Sequence, residues 1–193
     1  MNILDIFCRQ VRARSDESKK AIKLLHDHGM PGQVVSILRQ ELDSFVRVIY
    51  LLSIKDRTYR NQLLQQSVDG NKWTAKDSKR RLTDREMVDL AQNLHGWTEN
   101  TYRFGCAFIH LSRFHDYQDR DPIDTLSEKD NEEIREALSY YHGRSREELL
   151  SFRNITFYLP NIFNKVSSNL EHYVQQLENN QDLNEDDYKK RRE

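Results

Sequence analysis

Apolar residues recur at three-to-four spacing through most of this chain, and glycines at 29, 70, 96 and 143 interrupt the pattern. That period is the signature of amphipathic helices. Ile3, Leu4, Ile6, Phe7 and Val11 predict a short helix or an anchored arm. Ser15 or Asp16 can then cap a helix through Ala21, Ile22, Leu24 and Leu25, which Gly29 ends. Pro31 suits the first turn of a long helix over 31–54, whose stripe holds Val34, Val35, Leu38, Leu42, Phe45 and Ile49. Residues 56–68 predict another helix, or a continuation after a bend near Lys55-Asp56. Thr83-x-x-Glu86 is a capping box for a short helix ending at Gly96. Thr98 then reads as the N-cap of a helix running to Tyr117. Ser127-x-x-Asp130 starts a helix to Tyr141 or His142, and Ser145-x-x-Glu148 opens a last region, broken at Pro160, that reaches about Asn179.

Six or seven helices with short connections make an all-α, mostly antiparallel bundle, read as one domain over 1–179. The helices at 31–54, 84–95 and 98–117 should supply its core. Residues 180–193 are charged and unpatterned and are expected to fray. Only three prolines and six glycines among 193 residues agree with a helical reading.

Charge narrows the function classes. Lysine and arginine (30) nearly balance aspartate and glutamate (31), so no global basic field is available for coating nucleic acid. Any such contact must come from a local patch. Cys8 and Cys106 lie far apart in apolar surroundings, which suggests buried free thiols in a reducing compartment and no zinc pattern. No apolar run approaches the ~20 residues of a membrane span, and a cytosolic protein is expected. No metal or cofactor motif is present.

The chemistry-bearing stretch is Tyr102–Tyr117. It is apolar nearly all the way round, as a buried helix is, yet it carries Arg103, His110, Arg113 and His115. On a continuous helix Arg103 and His110 would be about 20° apart around the axis and roughly 10.5 Å apart along it. Gly105, Cys106 and Ala107 lie between them, small enough to admit another helix or a ligand. Arg135 and His142 repeat the same spacing on a charged helix, where Glu132, Glu133 and Glu136 offer Arg135 partners and the C-terminal dipole favours an imidazolium. The loop 70–82 places Lys72, Lys76, Lys79, Arg80 and Arg81 around Trp73, cations for phosphates with an aromatic for base stacking; a solvated loop with Trp73 tucked onto the bundle is the alternative. Glu41 and Asp43 are candidate partners for Arg103.

Arg103-x6-His110 on a core helix of a small bundle resembles the HEPN superfamily, over about residues 31–142. Phe104 stands where many family motifs have a polar residue. The resemblance implies a metal-independent endoribonuclease of toxin–antitoxin or phage-defence type, acting on RNA, commonly as a homodimer, with an antitoxin or defence partner. Arg103 would hold phosphate oxygens and His110 would move protons, with His115 in a supporting role and Arg135–His142 as the second candidate pair. The rival reading is a non-catalytic helical module that binds a partner protein or RNA.

Overall fold

A computed structural model describes residues 2–184. Among these the fold is all-α: eight α-helices, two short 3-10 turns and no strand beyond the single bridge Thr74–Arg81. The helices are α1 (Ile3–Asp27), α2 (Pro31–Ser53), α3 (Arg57–Val68), α4 (Asp84–Leu94), α5 (Thr98–Ile109), α6 (Glu128–His142), α7 (Phe152–Thr156) and α8 (Leu159–Glu178). None is long and apolar enough to cross a membrane.

The described chain divides into two compact units. Unit 1 holds residues 2–17, Asp43–Gly96 and 167–184; unit 2 holds Ser18–Leu42 and Trp97–Val166. Helices α1, α2 and α8 contribute residues to both.

Local chemistry accounts for most boundaries. Gly29 adopts φ +67, a left-handed end that α1 needs before Pro31 opens α2. Asp56 caps α3 by accepting from the N–H groups of Thr58 and Tyr59. Thr83 and Glu86 form the full capping box of α4. Ser127 caps α6, and Gly143 ends it at φ +68.

Four boundaries depart from the sequence pattern. First, α1 runs unbroken through Ser15 and Asp16; the Ser15 hydroxyl meets the Ser167 hydroxyl at 2.9 Å instead of capping a new helix. Second, Trp97, not Thr98, is the N-cap of α5, without a side-chain bond, and Thr98 is fully buried. Third, Ser145 starts no helix. The buried Arg144 guanidinium donates to the carbonyls of Glu148 and Leu149 at 2.8 and 2.7 Å and holds that segment irregular, so Ser151 is the cap that opens α7. Pro160 then sits in the first turn of α8, where its missing N–H costs nothing, and breaks no helix.

The fourth departure matters most for function. Helix α5 stops at Ile109, and His110 is already extended (φ −100, ψ 141). Two serine hydroxyls take the carbonyls that a continuing helix would use. Ser112 Oγ donates to Ala107 O at 2.7 Å, and Ser36 Oγ donates to Phe108 O at 3.2 Å. Ser112 then opens a 3-10 turn, Arg113–Asp116. That turn brings Phe114 inward, where it packs against Phe104 and Phe108 with centroids 6.0 and 5.7 Å apart.

The core of unit 1 contains Phe45, Ile49, Leu52, Leu63, Leu64, Met87, Leu170 and Leu177, all under 2% exposed. Its last described residues do not fray. Leu183 N–H donates to Leu52 O at 3.0 Å, Asp182 pairs with Arg57 and Arg60, and Leu183 is buried. The rest of the expected tail, 185–193, lies outside the described residues. Unit 2 is organised around Phe104, Phe108, Phe114, Tyr117 and Phe152, with Phe108 stacked on Phe152 at 5.2 Å.

Candidate functional site

Arg103 and His110 are both exposed, although the sequence pattern set them on a helix fit for burial. The side chain of Arg103 is 59% exposed and forms an ion pair with Asp130 of α6; its Nη2 also donates to Asn100 Oδ1 at 3.3 Å. Neither Glu41 nor Asp43 is its partner. Glu41 is buried in unit 2, and Asp43 accepts from Arg47 Nε at 3.1 Å in unit 1. Asp130 is held below the usual carboxylate range, first by the Ser127 hydroxyl and then by Arg103. His110 lies one residue past the end of α5, with its N–H donating to Cys106 O at 3.4 Å. The regular seven-residue spacing along one helix face is therefore not kept. His115 is exposed on the 3-10 turn, its Nδ1 3.3 Å from Ser112 N, and shares no continuous helix with Arg103.

The small-residue stripe is occupied. Arg39 of α2 lies across it, buried to 7% exposure, with Nε donating to Cys106 Sγ at 3.3 Å and its guanidinium 3.4 Å above the Tyr102 ring. A Cβ on Gly105 would meet Arg39 Cβ at 2.7 Å. The groove that the sequence offered to a ligand or a second copy holds the chain's own arginine. A cation on an aromatic face, taken partly out of water, is worth about 2 kcal/mol. Arg39 did carry a readable signal: it falls four residues after Val35 and three before Leu42, on the apolar stripe of α2.

For the second pair, Arg135 Nη1 donates to the carbonyls of Arg146 and Glu148 at 3.4 and 3.1 Å. The glutamates expected to neutralise it are engaged elsewhere. Glu132 and Glu136 face Arg146 at 3.9 and 3.0 Å, and Glu133 accepts from Asn100 and faces Lys129. His142 is half-buried, and burial together with Lys165 pushes it below its ordinary value. The expected dipole-stabilised imidazolium gives way to a ring favoured neutral.

The basic loop is an ordered turn rather than a flexible arm. Leu82 N–H donates to Trp73 O at 2.9 Å, Ala75 N–H donates to Arg80 O at 2.8 Å, and Asp77 turns the chain at φ +54. Trp73 is 2% exposed, with its indole N–H donating to Ser67 Oγ at 2.7 Å and Arg47 lying 5.0 Å over the ring. A base cannot stack on a ring closed in this way; Trp73 is part of the core of unit 1. Lys76 pairs with Asp56 at 2.7 Å, and Arg80 grips Glu86 through both Nη atoms at 3.0 and 2.9 Å. That fork, with the Thr83 backbone, draws the Glu86 carboxyl down to about 2. Lys72, Lys79 and Arg81 are left exposed without an ion pair among the described residues.

Cys8 is fully buried and its thiol is pushed up to about 12, chiefly by burial; Cys106 is half-buried, and both are free thiols. Among the described residues no group of three His, Cys, Asp or Glu side chains is arranged to hold a metal ion. Comparison of the chain with protein-family models, curated proteins and solved structures finds no match.

Proposed function

We propose that this chain is a HEPN-type, metal-independent endoribonuclease of a toxin or phage-defence system, working on RNA in the cytoplasm. The observation that supports this reading is the solvent exposure of both Arg103 and His110. A buried pair would be structural. An exposed guanidinium can hold phosphate oxygens once it is released from Asp130, and an exposed imidazole can take the 2′-hydroxyl proton or deliver one to the leaving 5′-oxygen. A second proton-transfer group is still required. His115, exposed on the turn after His110, is one source within the chain; the equivalent histidine of a homodimer partner is the other. Such a dimer would have to form away from Gly105, which Arg39 covers. A cognate antitoxin or defence partner goes with the same reading.

The test is RNA cleavage by Arg103→Ala and His110→Ala variants, each expected to lose at least ~10²-fold of the rate while melting within a degree or two of the parent chain. Cleavage should persist in EDTA. Arg135→Ala and His142→Ala, in the same assay, report on the second pair. Cleavage that survives Arg103→Ala and His110→Ala takes catalysis away from that pair, and cleavage that survives all four substitutions overturns the HEPN-type reading.

The second reading, a non-catalytic helical module, draws on the Arg103–Asp130 ion pair, which competes with phosphate for the guanidinium. It expects RNA binding with no turnover, and loss of that binding when Lys72, Lys79 and Arg81 are neutralised.

A further inference from the structure

Unit 1 contains an open cleft of about 700 Å³, within the range of small-ligand sites. The first half of α1, the second half of α2, the end of α3 and the basic loop all contribute to its walls. Its apolar floor includes Phe7, Val11 and Trp73, each 9% exposed or less.

Charge sets this cleft apart. Four cationic residues line it, Arg14, Arg47, Lys72 and Arg81, against two anionic ones, Asp43 and Asp84. Arg47 bridges both acids, at 3.1 and 3.3 Å, a cluster with a net charge of −1. With Arg14, Lys72 and Arg81 the cleft lining carries a formal excess of two positive charges. Elsewhere in unit 1 cations are matched: Arg12 with Glu171 and Glu178, Arg57 and Arg60 with Asp182, Lys76 with Asp56, Arg80 with Glu86, and Arg85 with Asp89. Lys72, Lys79 and Arg81 are the exceptions among the described residues, and two of those three line the cleft. A unit that pairs its cations so consistently leaves two open where a cavity meets solvent.

We propose that this cleft binds the phosphate group of a nucleotide, with Lys72 as a point charge and Arg81 as a two-pronged donor to phosphate oxygens. The nucleotide is either free or the 5′-phosphorylated end of an RNA strand; the recognition chemistry is shared. The proposal extends the RNA reading to a different set of residues. Its test reads binding and not cleavage, so the two fail separately.

The experiment titrates the full chain, by calorimetry, with pyrophosphate, with a nucleoside monophosphate, and with short RNA strands bearing a 5′-phosphate or a 5′-hydroxyl. Saturable binding is expected to weaken at least tenfold in Lys72→Gln/Arg81→Gln. It should change less than twofold in Lys20→Gln, whose lysine is also exposed and has no ion pair among the described residues but lies outside the cleft. Binding of the monophosphate with that pattern assigns the free nucleotide. Binding confined to the 5′-phosphorylated strand assigns the RNA end. No binding of any probe, binding that survives the double variant, or an equal loss in Lys20→Gln overturns the proposal. Both substitutions are at exposed positions, and circular dichroism checks that the variants stay folded.

Discussion

The two units spend their side chains differently. Of the twelve largest fully buried side chains, only Leu42, Leu159 and Phe163 belong to unit 2; the other nine are in unit 1. The reverse holds at the surface. Among the described residues, Leu24, Met30, Ile109, Leu111, Tyr140, Tyr141, Leu149 and Phe157 are the exposed large hydrophobics, and all eight are in unit 2. Among the described residues unit 1 has a well-buried core, mostly matched charges and a basic cleft. Unit 2 is held by a smaller aromatic cluster and by polar clamps on backbone, such as Arg144 on the carbonyls of Glu148 and Leu149. The candidate catalytic pair belongs to the second kind of structure, with Arg103 on α5 and His110 just past the end of that helix. Binding and reacting groups concentrate in such places because their backbone is less completely committed to packing.

That contrast can be broken by mutation. The largest effect should come from Phe45→Ala in unit 1, which removes a fully buried ring packed against His95 and Tyr173 at 5.3 and 5.8 Å. A loss of about 3–5 kcal/mol is expected from chemical denaturation. A cost near 1 kcal/mol would mean that the core of unit 1 is looser than its burial implies.

In unit 2, Gly105→Ala drives a methyl group against the Arg39 stem and should cost about 1–3 kcal/mol. Arg39→Gly/Gly105→Ala measures the coupling, since the clash vanishes only when the Arg39 Cβ is removed; strictly additive losses would contradict the contact. Gly143→Ala forces a left-handed φ of +68 on a side chain that meets nothing else, and about 1 kcal/mol is the expected penalty.

Acid should reach the two units at different pH. His142 has its folded value lowered from 6.5, so the unfolded chain binds its proton more readily, and the associated stability is present above about 6.5 and lost as pH falls below it. Glu86 is lowered from 4.5 to about 2, so its contribution is intact above 4.5 and lost between there and about 2. Glu86 is over a third exposed, and solvent keeps its share small. Melting temperatures taken from pH 8 to pH 3 should lose their first acid slope in His142→Gln and show a slightly reduced second slope in Glu86→Gln, because Asp56, Asp130 and Glu171 are lowered as well; slopes unchanged by these substitutions would rule out the assignment. The smallest effect belongs to Leu111→Ser. At 95% exposure it should move stability by no more than about 0.5 kcal/mol, and a larger loss would show that the residue is covered in solution.

Helix identity and several helix ends were readable because their causes are local. The capping box Thr83–Glu86, the cap at Ser127, Pro31 at the head of α2 and the glycines at 29 and 143 act within a turn of their own position. An all-α fold follows from them together with the 3.6-residue period. The end of α5 was not readable, because Ser112 and Ser36 compete for the carbonyls of Ala107 and Phe108, and Ser36 comes from seventy-two residues away. The partner of Arg103, the burial of Trp73 and the occupant of the Gly105 stripe share that character. Each is settled by a group distant in sequence, Asp130, Ser67 with Arg47, and Arg39 in turn, or by a side chain that bends back from the next element.

The sequence by itself thus determined the helices, their sharpest ends and a short roster of chemistry-bearing residues, since backbone hydrogen bonding and side-chain periodicity are written at spacings of three and four. The tertiary structure decided which of those residues meet solvent and which cations remain unpaired. Exposure and charge neutralisation depend on what the rest of the chain brings alongside, and no local spacing encodes that.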